Sequence, residues 1–447
     1  MLSATLFLLT ALFALPALLF LLYYPALSGI ARVLPKQRPL FPWNASTKGA
    51  TPASAVPAAA APANLSPASE RASLNGQVAT ARLESSLSVA LVLVASRRDS
   101  NLDRKIAELV AYSERRSIIE LFVGLDGNEA PTNAQGAVTW IGMTPRQGKN
   151  AVLRKIHQHA MADVLVFTDV DARLEPACLD AVLAPFADAH IGAVTGRRQI
   201  VDDTGFGQAQ AGYADLDNEI RKLEMRCVGS VTTCEGKLYA VRRNLLDGNL
   251  PDDVSDDLHY GLGAVAGGSR LVFEPEAIAR IGRPARDFRH EFARRRRVTC
   301  RGLSTLRARR ELLDPRRHGR FAIALMINKL FRRLACPSAL LAALSLVAAL
   351  LTLPVSAADI LPGTLAIGVI GVLALLMLAI ILTKGRGRAL AYLALGMLST
   401  SCGVVDYLRG HRVAVWESVK SGGDAHDNVD VEPSPDQPAE AEDKEIS

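Results

Sequence analysis

Two aspartates one residue apart, Asp169 and Asp171 in the stretch FTDVDA (167–172), are the residues of this chain with the plainest chemistry. The short, β-branched apolar run before them reads as a buried strand, so both carboxylates stand at a sheet edge. Carboxylate oxygens suit a hard cation, and Mg²⁺ or Mn²⁺ usually shares such a site with phosphate oxygens. That points to a metal clamp on a nucleoside diphosphate; a solvated turn would use the same residues. Four further positions carry groups of this kind. Asp126 lies in Gly124-Leu125-Asp126-Gly127 at the end of another strand, and Lys149 in Gly148-Lys149-Asn150 opens a helix. Gly236 forms a turn before a short strand, and Ser255-Asp256-Asp257 opens a second helix. Each also has a plain structural use: Asp126 can make a turn, Lys149 can be solvated, and Asp257 can offset a helix dipole.

The elements that must position these groups alternate. From Ser88 onward, strands at 89–95, 118–123, 138–141 and 191–195 are interleaved with helical patterns at 102–112, 148–161 and 176–186. Such alternation predicts a largely parallel sheet. Ligands of open α/β sheets bind at the carboxyl ends of the strands, where the aspartates cluster. Further on, 211–225 reads as a charged helix, 270–273 as a strand and 291–310 as a basic helix containing Arg294-Arg295-Arg296-Arg297.

Asp126, Lys149, Asp169/Asp171, Gly236 and Asp256/Asp257 fall in the order and rough spacing of one family. Residues 88–338 resemble membrane-embedded family 2 glycosyltransferases, the group that includes cellulose, hyaluronan and poly-N-acetylglucosamine synthases. The signatures that carry the likeness are Asp256-Asp257, the run EFARRRR (291–297) and Asn328-Lys329-Leu330-Phe331-Arg332. The resemblance implies an α/β GT-A domain, Rossmann-like with a mixed, mostly parallel sheet, facing the cytoplasm between N- and C-terminal transmembrane helices. It implies a divalent cation (Mg²⁺ or Mn²⁺), a nucleotide-sugar donor with UDP-sugars the first expectation, and a saccharide or lipid-linked acceptor. Asp126 would contact the base or ribose and Lys149 the phosphates. Asp171, with Asp169 behind it, would hold the metal, Asp257 would be the catalytic base, and Arg297 would contact the leaving diphosphate.

The chemistry agrees with those roles. An acceptor hydroxyl must lose its proton as it attacks the anomeric carbon, which one carboxylate can accomplish. A leaving diphosphate is stabilised by a divalent ion and arginines. One base without a second carboxylate nucleophile predicts single displacement, hence inversion. One departure stands out. Processive synthases of this family carry Gln-x-x-Arg-Trp, whereas this chain reads Arg294-Arg295-Arg296-Arg297-Val298, without the aromatic acceptor platform. Short products or single additions are the expectation, in cell-surface polysaccharide synthesis or on a lipid acceptor. The rival from another class is a non-catalytic membrane scaffold whose basic helix binds anionic lipid. Aromatic residues make up 5% of the chain, too sparse for the stacking that nucleic-acid grooves use, so no nucleic-acid partner is expected.

At 447 residues, 49% hydrophobic, the chain is long enough for a catalytic domain and membrane segments. The reading divides it into an anchor (1–30), an Ala/Pro/Ser-rich linker (31–85), the transferase domain (86–285), basic interfacial helices (286–335), C-terminal membrane segments (336–410) and an acidic, disordered tail (421–447). Basic residues just after the anchor predict a cytoplasmic domain at a bacterial-type inner membrane. The apolar stretches 337–353 and 361–382 read as spans; 389–408 reads as either a span or an interfacial helix. The six cysteines form no C-x-x-C pair, which predicts reduced thiols.

Overall fold

The computed structural model describes residues 2–33, 87–114, 119–131, 138–175, 177–201, 205–282, 288–352 and 387–411. Residues 34–85 of the expected linker, the apolar stretch 361–382 and the acidic tail lie outside these described residues, while residues 31–33 continue α1 (Leu2–Val33).

An eight-stranded mixed sheet forms the centre. Its strands are β1 (Val89–Ala95), β2 (Ile119–Asp126), β3 (Val138–Met143), β4 (Val164–Thr168), β5 (Ala172–Leu174), β6 (Ile191–Ile200), β7 (Leu238–Arg242) and β8 (Arg270–Ile281). Their spatial order is β3-β2-β1-β4-β7-β6-β8-β5. β1 pairs in parallel with β2 and β4, and β2 with β3, so their carboxyl ends line one edge. β7 runs the other way, antiparallel to both β4 and β6.

β1, written VALVLVA, is buried along its whole length because both faces of the sheet are covered. The period-two alternation of a strand divides its side chains. Ala90, Val92 and Val94 enter one core cluster with Leu153, Ile156, Tyr260 and Leu262. Val89, Leu91 and Leu93 enter the other with Leu102, Leu109, Leu179 and Phe186. Helices α2 (Ser100–Glu114) and α4 (Cys178–Leu183) supply the second cluster; α3 (Lys149–His159) and α6 (Asp256–Ala266) supply the first.

The remaining helices build the basic, apolar end of the chain: α1 (Leu2–Val33), α5 (Gly205–Cys227), α7 (Phe288–Ala308), α8 (Pro315–Leu325), α9 (Arg332–Leu351) and α10 (Gly387–Leu408). A π-helical turn, Met326–Phe331, joins α8 to α9. Among the described residues, two helical stretches are long and apolar enough to cross a membrane, Ala4–Val33 and Pro315–Leu351. Leu8, Leu12 and Leu21 on α1 and Leu340, Leu344 and Leu351 on α9 stand exposed, an arrangement that water penalises and hydrocarbon does not.

The end of α1 is fixed to the catalytic domain by polar contacts inside an apolar patch. Tyr23, Leu27 and Ala31 pack on Ile220 and Cys227 of α5 and Ala324 of α8. There the fully buried Glu224 carboxylate accepts hydrogen bonds from Tyr23 Oη (2.7 Å), Asn328 Nδ2 (2.8 Å) and the Thr232 backbone N–H (3.0 Å). With Thr232 Oγ1, which donates at 3.1 Å, four donors offset the desolvation of this buried charge. α10, the helix whose sequence admitted two readings, lies along α7. A Cβ on its Gly403 would come within 2.5 Å of the Arg296 carbonyl oxygen, so only glycine permits this approach.

Candidate active site

The strand ends, the turn before β7 and the start of α6 converge on one ladder of charges. Asp169 and Asp171 follow β4. Because β7 is antiparallel to β4, with Thr168 opposite Leu238, the residue before β7 arrives beside the residue after β4. That residue is Lys237. Its Nζ lies 2.7 and 2.8 Å from the two Asp171 oxygens and 3.1 Å from Asp169 Oδ2. Thr168 Oγ1 donates to the Lys237 carbonyl at 3.0 Å and fixes the backbone at the crossing point.

The ladder continues into α3. Gly148, at φ +98°, occupies the left-handed region that favours glycine and turns the chain into the helix. Lys149 in the first turn reaches Asp169 Oδ1 at 3.1 Å and Asp256 Oδ2 at 3.1 Å. Tyr239 Oη donates to the same Asp256 oxygen at 3.0 Å. Its neighbour Asn150, buried, donates to the Pro251 (2.6 Å) and Val254 (3.0 Å) carbonyls and so pins the loop that delivers Asp256. The Ser255 backbone N–H donates to Thr305 Oγ1 of α7 at 3.0 Å, fixing that loop from the far side.

Electrostatics follow from this alternation. Burial opposes ionisation of Asp169, but the ammonium groups of Lys149 and Lys237 hold its carboxyl well below the usual carboxylate range. Burial also works against charge on Lys149, and Asp169 with Asp256 overcomes it and holds the ammonium above its ordinary value. Asp257 has the opposite fate. Burial and the adjacent Asp256 push its carboxyl up to about 6, and one hydrogen bond from the Leu258 backbone N–H (2.7 Å) only partly offsets them. A carboxylate near 6 is poised to take a proton at neutral pH.

Gly236 makes room for that carboxylate. A Cβ there would meet Asp257 Oδ2 at 3.2 Å and Cγ at 3.7 Å. Glu235 beside it anchors the turn, pairing with Arg221 at 3.0 Å and Arg198 at 3.4 Å, while its backbone N–H donates to Thr195 Oγ1 at 2.6 Å.

The structure therefore brings Lys149, Asp169, Asp171, Gly236 and Asp257 to one cleft. Asp126 lies apart from the ladder. At 4% exposure, it accepts from the Gln147 (2.8 Å) and Gly148 (3.0 Å) backbone N–H groups and from Arg146 Nε (3.1 Å). Its carboxylate holds the turn that launches Lys149. The four consecutive arginines diverge, as the helical period of 3.6 requires. Arg294 and Arg295 both bind the fully buried Glu291, at 2.8 and 2.6 Å, and Arg296 pairs with Asp406 of α10. Arg297 is pulled down to about 10 by burial and by Arg301 and Arg294. Lys237 and Asn150 were not singled out from the sequence; the signal that could have found Lys237 is a lysine directly after the Gly236 turn.

Among the described residues, no third His, Cys, Asp or Glu joins Asp169 and Asp171 in a metal-holding group. Residues 164–384 match the model of the family described as glycosyl transferase family group 2, a span that starts at β4 and takes in Asp169, Asp171, Asp257 and Arg297. No curated protein matches significantly. Among solved structures, the chain is similar to a mannosyltransferase from Pyrobaculum calidifontis in complex with GDP-Man and Mn²⁺. That match has 19% identity and a TM-score of 0.54, covering 75% of this chain and 96% of that one. A glucosyl-3-phosphoglycerate synthase from Mycobacterium tuberculosis, solved with Mn²⁺, UDP-Glc and phosphoglyceric acid, is 16% identical. Its TM-score is 0.37, with 51% of this chain and 82% of that chain covered. The mannosyltransferase likeness bears on the fold, and the family match bears on the reaction. The protein is thereby identified as a glycosyltransferase on a GT-A fold, with residues 164–384 matching the family 2 model.

Proposed function

We propose that this enzyme transfers a sugar, with inversion, from a nucleoside diphosphate to an acceptor hydroxyl at a membrane surface. The observation that carries the reading is the ladder Asp171–Lys237–Asp169–Lys149–Asp256, which ends beside Asp257, whose carboxyl burial and Asp256 push up to about 6. It supports reading a diphosphate-type clamp and a proton acceptor side by side.

The clamp fits a divalent cation. Asp169 and Asp171 offer hard carboxylate oxygens, and the Asp171 side chain is 54% exposed, open toward the side from which a donor would arrive. Two protein carboxylates, with no third acidic, His or Cys ligand among the described residues, suit Mg²⁺ or Mn²⁺, which keep positions for phosphate oxygens and water. Bound there, the cation would neutralise charge growing on the leaving diphosphate. Lys149 adds a positive charge on the same side, and Arg297, desolvated on α7, is the arginine proposed to contact the leaving diphosphate. Asp126 serves the nucleotide through the 146–148 turn that it braces. Asp257 takes the acceptor proton as the acceptor oxygen attacks the anomeric carbon and the diphosphate departs from the opposite face. Gly236 leaves the space in which the acceptor reaches Asp257.

The helices α1 and α9 would hold the domain at the bilayer, with the donor taken from the cytoplasmic side. The acceptor is a saccharide or a lipid-linked saccharide. Val298, 42% exposed on α7 where processive relatives carry an aromatic platform, favours short products over long polymer. A panel of nucleotide-sugars offered to membranes containing the protein tests the reading by release of nucleoside diphosphate. One donor should release product, and Asp257→Asn should abolish that release. Equal background release from every donor, with and without the protein, would refute it.

A further inference from the structure

Every carboxylate oxygen of the expected metal clamp already has an ammonium group on it. Asp171 gives both oxygens to Lys237, at 2.7 and 2.8 Å. Asp169 gives Oδ2 to Lys237 and Oδ1 to Lys149, each at 3.1 Å. Lys237 cannot drift away along the backbone: the antiparallel β4–β7 register sets it opposite Asp169, and Thr168 holds its carbonyl. A divalent cation binds carboxylate oxygens at about 2.0–2.1 Å when it is Mg²⁺. An ammonium and such a cation cannot share the same oxygens, because two like charges would then stand within a few ångströms of each other.

We propose that Lys237 is a placeholder for the divalent cation, neutralising Asp169 and Asp171 until a metal–diphosphate complex displaces it. The inference rests on the metal-dependent reading of the site given above. It has two consequences. The metal alone binds weakly, because entry must break the Lys237 contacts with nothing in exchange. Metal arriving with a diphosphate binds well, because the displaced ammonium gains phosphate oxygens as new partners within reach of its stem. Lys237 thus acts as a positioning residue that couples metal affinity to donor occupancy and, once displaced, adds a positive charge beside the leaving group. Lys149 does not share this role, since Asp256 keeps a partner for it when Asp169 turns to the metal.

Mn²⁺ binding to the purified full-length protein in detergent, followed by electron paramagnetic resonance, tests this without turnover. Wild-type protein should bind Mn²⁺ weakly alone and much more tightly with UDP or GDP present. Lys237→Met should tighten Mn²⁺ binding in the absence of nucleotide by about tenfold or more, the scale set by a partly buried charge at 3 Å. Lys237→Arg should keep the weak binding of the wild type. Unchanged or weaker Mn²⁺ binding by Lys237→Met alone, beside normal nucleotide-dependent binding by the wild type, overturns the placeholder and leaves the clamp standing. If wild-type protein takes up no Mn²⁺ with either nucleotide, the metal reading itself falls and the placeholder with it. The wild-type comparison with and without nucleotide needs no variant, and equal affinity in the two conditions also overturns the proposal.

Discussion

Replacing Asp257 by asparagine separates the chemistry of this residue from its structural cost. Asparagine keeps the shape and can still accept the 2.7 Å hydrogen bond from the Leu258 backbone, but it has no basicity. General base catalysis contributes about 10²–10⁴-fold, so turnover should fall by that factor. Donor binding should be nearly unchanged, because the proposed diphosphate clamp is at Asp169 and Asp171. Stability should move the other way. The carboxyl rises from an ordinary 3.8 to about 6 on folding, chiefly through burial and then through Asp256. Between those values the folded protein retains a proton that the unfolded chain has released, so stability falls as pH rises through the window and stays lower above it. Two pKa steps correspond to about 3 kcal/mol as an upper bound.

Asp257→Asn should therefore unfold later than wild type at pH 7.5, by up to about 3 kcal/mol, and its advantage should vanish near pH 4. Unfolding of the purified protein in detergent at the two pH values reads the stability, and nucleoside diphosphate release reads the turnover. The wild-type rate should climb with pH and level off above about 6, where the base is ionised. A variant with near-wild-type turnover would refute the assignment and pass the role to Asp256. A variant with lost donor binding would place Asp257 in the nucleotide site instead.

Three other perturbations follow from the geometry. Chelation with EDTA should abolish turnover and Mg²⁺ or Mn²⁺ should restore it, while Asp171→Asn should weaken metal-dependent donor binding together with turnover; full activity of Asp171→Ala in metal-free buffer would contradict the clamp. Gly236→Ala places a methyl 3.2 Å from Asp257 Oδ2, so the carboxylate must give by a few tenths of an ångström, and kcat should drop about tenfold with folding intact. Tyr23→Phe removes one of four donors to the buried Glu224 and should destabilise by about 1–3 kcal/mol, seen as an earlier thermal transition in detergent with the proposed site residues untouched.

How much of this was legible in the sequence depended on whether a feature is local. The strands β1 and β4 were readable because uninterrupted β-branched runs announce strands buried on both faces. The aspartates after β4 and at the start of α6 stood out because carboxylates at element ends can hold a cation or take a proton, although turns and helix dipoles use the same positions. The arginine run was readable as basic and opaque as to partners. Successive residues of a helix point about 100° apart, so Glu291 and Asp406 divide the run in a way that no composition count reveals.

Asp126 and Lys237 show the remaining limit. For Asp126 the sequence supplied a carboxylate at a strand end, and the resemblance supplied a ligand for it. The structure supplies two backbone N–H groups and Arg146, which the turn at 146–148 delivers from another part of the chain. For Lys237 the missing information was a direction. Alternating strands and helices imply parallel neighbours, and a parallel β7 would have placed the residue before it at the opposite edge from Asp169 and Asp171. The reversal of β7 carries Lys237 across the sheet to those aspartates, a placement fixed by tertiary pairing and absent from any local period. The residue on which metal affinity is proposed to depend was therefore hidden for the same physical reason that it can act: it reaches the clamp only through the fold.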